Sequence, residues 1–451
     1  MKLGVVACLL AWELLILASP MAGQGGIGGV GGFGGPSIQG RGGSGGRQQR
    51  DTFRIRPFLG VQAIYDSGLT SIRPGTDGSV FSRGAPGVEV VGGLYGTKQW
   101  KRNEVQLSYL GDYRHYANNA NFNGADQSLN VSYARPISKR IGIQSSLAAG
   151  TTNRAFGGIG QISALDAITQ PGLPVNSIFD IRTNYGSANG TLGYNLSPRT
   201  SLTFSGGGFL VKRQNTAVFG VTGVQARADL ARRISRKTSV GIDYNFSTFQ
   251  FSRAFGDTYV HGGGVFLARK IGRHWELNIR AGAVRLEILA TRQVAIDPAI
   301  AEIIGVTSGE VVAYSKNILG SGDFSLTRSA RGGNLSFLAS RSVNPGNGII
   351  LTAQLDTAGV SFNRRLSRQL NFDISGNYSR MRGLGLINAS FRTINGGVGL
   401  GWQVARYTQI TARFDRRNAV ATGTSSLFNL NGNRFSFGVV FTPADIPVSL
   451  W

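Results

Sequence analysis

One short unit recurs along this chain and limits what it can become. An apolar or neutral residue, a small residue and a basic residue open a turn, and a strand follows directly. Clear copies begin at Ile137 (ISKRIGI), Leu196 (LSPRTSL), Ile234 (ISRKTSV), Ile271 (IGRHWEL), Leu366 (LSRQLNF) and Val404 (VARYTQI), with degenerate copies at Gln99 (QWKRNEV) and Ser329 (SARGGNL). Most consecutive copies lie 37 or 38 residues apart, and two intervals are longer. The segment after Leu366 shows the pattern best. Leu370, Phe372, Ile374 and Tyr378 fall on one face and Asn371, Asp373, Ser375 and Asn377 on the other. Apolar and polar residues alternating at period two make a half-buried strand.

A repeat of this length is also compatible with a helical solenoid or a propeller. Helical repeats place apolar residues at i, i+3 and i+4, which these segments do not. Propeller blades need four short strands per period. Each period here holds a short turn, a strand of about 10 to 14 residues, a variable loop and a returning strand, which is the rhythm of a transmembrane barrel. The fold class expected is therefore all-β: an antiparallel up-and-down transmembrane β-barrel of about 18 strands (16–18). An even strand number puts both termini on the side of the short turns.

Composition agrees. Only 41% of residues are hydrophobic, as suits strands in which every second residue faces lipid, and past the leader no run approaches the ~20 apolar residues of a membrane helix. The formal net charge of +24 would fit nucleic acid, but position argues otherwise. Lys139, Arg140, Arg199, Arg236, Lys237, Arg273, Arg368 and Arg406 cluster at the short turns, so the charge reads as a solvated collar on one rim, and no nucleic acid partner is expected. Cys8 is the single cysteine, which excludes intramolecular disulfides and thiolate metal sites.

Four regions follow. Residues 1–23 read as a secretory leader, with Lys2 before an apolar stretch. Residues 24–50 are a glycine-rich flexible linker. Residues 51–443 form the barrel, and 444–451 a C-terminal tail.

Inward positions carry charges, so the interior reads as wet. The expected lumen-lining residues are Asp112, Arg114, Arg227, Asp229, Asp243, Arg280, Asp373, Arg413 and Asp415. The third outer loop (152–178), with Ile159, Asp166 and Pro171, and the sixth (291–313), with Asp297 and Glu302, are uncharged or apolar enough to need cover, and are the candidates to fold inward as a constriction. In the sixth, DPAIAEIIG predicts a short helix capped by Asp297. His115, His261 and His274 are far apart with no metal-ligand spacing. His261, near an outer loop, is the single candidate for barrel-embedded hydrolysis, against a plain interfacial imidazole. No catalytic residue, metal or cofactor is assigned.

With its leader, its repeated LSPRTSL-type turn and its alternating strands, the chain resembles bacterial outer-membrane β-barrels, in particular the type-2 β-barrel porin family, over roughly residues 51 to 451. The resemblance implies an outer-membrane location, contact with outer-membrane lipid and the barrel assembly machinery, and passive diffusion of small hydrophilic solutes, with the arginines implying anion preference. It assigns no oligomeric state. One departure stands out: Trp451 supplies a terminal aromatic, but Pro443 and Pro447 interrupt the last ten residues as a strand. The alternatives are a plugged barrel with a structural or polysaccharide-export role and, behind it, the hydrolase.

Overall fold

The computed structural model describes residues 53–448, apart from 71–81, 101–102, 118–121, 154–180, 215–217, 253, 296–301, 303–306, 331, 386–388 and 424–427. The leader and linker expected over 1–50 lie outside the described residues.

Eighteen strands run up and down in chain order. They are β1 (Phe53–Thr70), β2 (Ser82–Gln99), β3 (Glu104–Tyr116), β4 (Gly124–Pro136), β5 (Ile141–Thr152), β6 (Thr183–Ser197), β7 (Thr200–Arg213), β8 (Val221–Arg233) and β9 (Thr238–Phe251). After them come β10 (Asp257–Ile271), β11 (Trp275–Ala295), β12 (Ser308–Ala330), β13 (Gly333–Asn344), β14 (Ala353–Arg365), β15 (Leu370–Gly383), β16 (Ser390–Ala405), β17 (Thr408–Thr422) and β18 (Phe428–Phe441). Each is antiparallel to the next, and β1 pairs β18 from Leu59↔Phe441 to Asp66↔Arg434. The sheet is closed, as the alternation predicts. Closure removes the free edges that no hydrocarbon phase could satisfy.

The recurring turn has a simple mechanism. In the clear copies that carry a serine, it bonds the backbone ahead of it: Ser138 Oγ accepts from Arg140 N and Ile141 N (3.1 and 3.0 Å). Ser197 does the same for Arg199 and Thr200 (3.2 and 3.0 Å), and Ser367 for Gln369 and Leu370 (3.2 and 3.0 Å). A hydroxyl that satisfies two backbone donors holds a reversal of few residues. In the IGRH copy Gly272, at φ 65°, supplies the turn instead.

The outward row is apolar and open. Ile242, Tyr244, Val265 and Phe437 are each more than half exposed, and so contiguous a surface needs lipid around it. Aromatic rings mark the short-turn rim, with Lys98 Nζ 4.7 Å from the Trp100 ring centroid and the Arg328 and Arg406 guanidinium carbons 5.5 and 5.1 Å from those of Trp275 and Tyr407. Such a girdle sits where hydrocarbon meets water.

Two ends depart from the simplest reading. The β11–β12 hairpin runs in unbroken register from Trp275↔Arg328 to Ala295↔Ser308, well past the end of β10. At the carboxyl end, β18 stops before Pro443, and a short β19 (Ile446–Val448) pairs Phe53–Ile55 of β1. Arg56 Nε donates to Asp445 Oδ1 at 2.6 Å and clamps the link between them.

Candidate functional site, the barrel interior

Strand parity carries the ionisable residues inward at mid-height, where they form two arcs on opposite sides of the wall. The first spans β15 to β4 through the β18–β1 seam. Arg114 donates to Asp112 Oδ1 and Asp126 Oδ2, both at 2.8 Å, and to Asn153 Oδ1 at 2.5 Å, with Glu89 3.7 Å away. Arg434 donates to Glu89 Oε2 at 2.5 Å and stands opposite Asp415 in register. The Tyr116 hydroxyl donates to Asp66 at 2.5 Å. Further along, Arg413 reaches Asp373 at 2.6 Å and Asp415 at 2.9 Å. These side chains lie flat because β16 presents glycines beside them. A Cβ on Gly397 would stand 2.0 Å from Asp415 Oδ1, and one on Gly399 2.3 Å from Asp373 Oδ1.

The second arc spans β8 to β12. Arg280 grips Asp243 with two nitrogens, at 2.8 and 2.5 Å, and touches Asn245 at 2.9 Å and Asp323 at 3.3 Å. Arg227 Nε donates to Asp229 at 2.8 Å, and Asp229 stands opposite Asp243 in register. Planar guanidinium against carboxylate is the strongest of these hydrogen bonds.

The structure thus places all nine inward candidates in the two arcs, but not equally. Arg114 and Asp126 are completely buried, whereas the side chains of Arg227 and Asp373 each keep 38% exposure. Partners that the sequence reading did not single out complete the arcs: Asp66, Glu89, Asp126, Asn153, Asp323 and Arg434. Extending the alternation onto β1, β2, β4, β12 and β18 with the same parity would have found all of them but Asn153. Around Arg114 and Arg434 the carboxylates Asp66, Glu89, Asp112 and Asp126 outnumber the two guanidiniums, so the arginines there are spoken for.

Above mid-height the interior turns apolar. Inward residues of β7 to β11, among them Phe209, Val221, Phe249, Val260 and Leu286, form one buried cluster. Leu355, Met381, Phe391, Ala419 and Leu430, on β14 to β18, form another. Residues 345–352, between β13 and β14, reach between the two. Asn347 Oδ1 accepts from Ile349 N and Ile350 N (3.1 and 3.0 Å), and Gly346 and Gly348 take φ of 70° and 92°, which bends the segment sharply. Ile350 enters the β14–β18 cluster. Gly348 O accepts from Phe219 N at 3.0 Å, Thr352 O from Leu384 N at 2.8 Å, and Thr352 Oγ1 lies 2.9 Å from Thr258 Oγ1 on β10. Arg213, at the end of β7, donates to Phe219 O at 2.5 Å. The seventh outer connection is therefore fastened inside the barrel. The Asn344-Pro-Gly-Asn-Gly run is the local sign that no strand begins at Ile350, and β14 starts only at Ala353.

Of the constriction candidates, Ile159, Asp166, Pro171 and Asp297, with most of the short helix expected around Asp297, lie outside the described residues; Glu302 is exposed. His261 is on the outside of the wall, 2.8 Å from the Tyr244 hydroxyl and with its ring 4.9 Å from that of Phe246. Among the described residues no group of three or more His, Cys, Asp or Glu is placed to hold a metal ion.

No family model and no curated protein matches the sequence. Solved structures of similar shape include OccK2 (OpdF) of Pseudomonas aeruginosa in complex with glucuronate, at 10% identity and a TM-score of 0.43, covering 86% of this chain and 98% of that one. OccK9 (OpdG) of Pseudomonas aeruginosa gives 14% identity and 0.42 over 86% and 98%. The ferric-catecholate import receptor Fiu of E. coli K12, in its open form, gives 11% and 0.41 over 88% and 82%. At such values these likenesses say nothing about what this chain carries. Its own geometry suffices for the class: a closed wall, apolar outside and ion-paired within, is a transmembrane β-barrel of the outer-membrane type.

Proposed function

We propose that the chain is an outer-membrane channel for passive diffusion of small hydrophilic solutes, narrowed near its outer mouth by residues 345–352. The observation that carries this reading is the inward course of that segment, held by Phe219, Thr258 and Leu384, across a barrel of eighteen strands. A barrel of that size is wide enough for water unless something fills it. Solutes entering would meet the residues that keep exposure, chiefly Arg227, Asp229, Asp323 and Asp373, while Arg114 holds the wall. Since carboxylates neutralise most inward arginines, anion preference in this reading rests on Arg227 and is weak. The third and sixth outer connections remain candidates for further narrowing on their sequence alone.

The second reading, a plugged barrel with a structural or export role, is favoured by one observation: Arg114 and Asp126 are fully withdrawn from solvent. Single-channel conductance in a planar bilayer under a salt gradient separates the two. Discrete steps support the channel; a folded barrel, shown by heat-shifted gel mobility, that never conducts sinks it.

A further inference from the structure

The outer wall carries an unbalanced cluster of charge that neither reading uses. On β15 the outward row runs Leu370, Phe372, Ile374 and Tyr378 before it meets Arg380 and Arg382. On β16, read from the short-turn rim, it runs Trp402, Leu400, Val398 and Ile394 before Arg392; on β17, Ile410, Ala412 and Phe414 before Arg416. Arg380, Arg392 and Arg416 are thus the first charged residues above apolar strips that lie against lipid, Arg382 follows Arg380 on the same row, and all four are exposed. Arg380 and Arg392 stand directly opposite each other in register, an arrangement of like charges that works against pairing.

No neighbour relieves it. Asp356 is across from Arg380, but its oxygens take Arg341 at 2.6 and 3.3 Å and Gln354 at 3.2 Å. Among the described residues, none of the four arginines makes an ion pair or side-chain hydrogen bond. Other stretches of this rim differ. β3 ends its outward row on Tyr113 and His115, β9 on Tyr244, Phe246 and Thr248, and on β11 Arg285 is paired with Glu287.

We propose that Arg380, Arg382, Arg392 and Arg416 form a docking surface for the phosphate groups of a lipid in the leaflet around this rim. Guanidiniums bind phosphate oxygens in pairs, and the strip beneath them matches acyl chains, so an amphiphile with phosphate at its polar end fits both parts. A soluble anion would use the charges and leave the strip idle. This surface rests on the barrel's being embedded in a membrane and is independent of whether it conducts.

The test uses the refolded full chain in nanodiscs of phosphatidylcholine, titrated with a diphosphorylated diglucosamine lipid, with lipid retained per barrel read by native mass spectrometry. Arg380→Gln combined with Arg392→Gln should weaken retention about thirtyfold, taking roughly 1 kcal/mol for each charge at a membrane surface. Arg236→Gln with Lys237→Gln, on the opposite rim, should leave it unchanged. Equal retention by wild type and the first pair, or equal retention of the dephosphorylated lipid, overturns the proposal. Inorganic phosphate binding as tightly as the lipid overturns it in favour of a simple anion site. Should the paired variant not fold, Arg416→Gln alone gives the same reading with a smaller change. Failure of the wild type to insert, seen as absent heat-shifted mobility, is a separate result that strikes the membrane assignment itself.

Discussion

Arg114 and Arg227 are the same device in sequence: an inward arginine on a strand, with an aspartate two positions away that it grips at 2.8 Å. In the folded barrel they do different things. Arg114 is fully buried, and Asp126, Glu89 and Asn153 surround it from β4, β2 and the start of the third outer connection. Arg227 keeps 38% of its side chain exposed and answers chiefly to Asp229. Burying a charge is costly unless every neighbour is in place, whereas an open pair is screened and contributes little. One arginine therefore braces the seam of the wall, and the other remains able to meet a solute.

The contrast can be broken most directly at the buried end. Arg114→Ala strands three carboxylates with Arg434 as the main remaining cation nearby, and should cost about 3–5 kcal/mol in denaturant unfolding from vesicles. Adding Asp126→Asn should recover part of that loss, because the stranded charge goes with it. A loss below about 1 kcal/mol for Arg114→Ala would mean that the group is not the brace described.

A smaller effect is expected at the inward segment. Gly348→Val introduces a branched side chain at φ 92°, where a Cβ would already stand 2.5 Å from Val218 Cγ1. The local cost is of the order of 1–3 kcal/mol, enough to release the segment while the wall stays closed. The conductance step should rise, with heat-shifted mobility retained. An unchanged step would remove residues 345–352 from the solute path.

At the open end, Arg227→Gln should change stability by no more than about 0.5 kcal/mol. It should shift the reversal potential under a salt gradient toward cations, since Asp229 is left without its partner. No shift would place Arg227 off the path and equate it with Arg114 after all. The smallest effect is expected from Lys237→Gln in the collar, within about 0.5 kcal/mol and without change in selectivity.

Much of the molecule was legible beforehand, and the reason is local. Alternation at period two needs no partner to be read, and Ser138, Ser197, Ser235 and Ser367, which bond the next backbone amides, mark four of the short turns. β15 opens where the Leu366 turn ends, and its alternating face from Leu370 to Tyr378 is read from those local signals alone. Legibility failed at the outer ends. Ile349 to Leu351 look like the start of a strand, but Ile349 and Ile350 pack on inward-facing residues that include Met381, Phe391, Ala419 and Leu430, distant in sequence.

What the sequence by itself determined is the wall: its strand rhythm, its parity and hence which face of each strand meets lipid. These follow from the two-residue repeat of an extended chain, which leaves no freedom once one face must be apolar. Only closure of the sheet decided the rest. Bringing β18 against β1 set Arg434 beside Glu89 and enclosed Arg114, and the same curvature carried residues 345–352 to Phe219 and Thr258 on the other side. Burial, and with it the division between bracing and solute-facing arginines, belongs to contacts between strands far apart in the chain, so no local pattern encodes it.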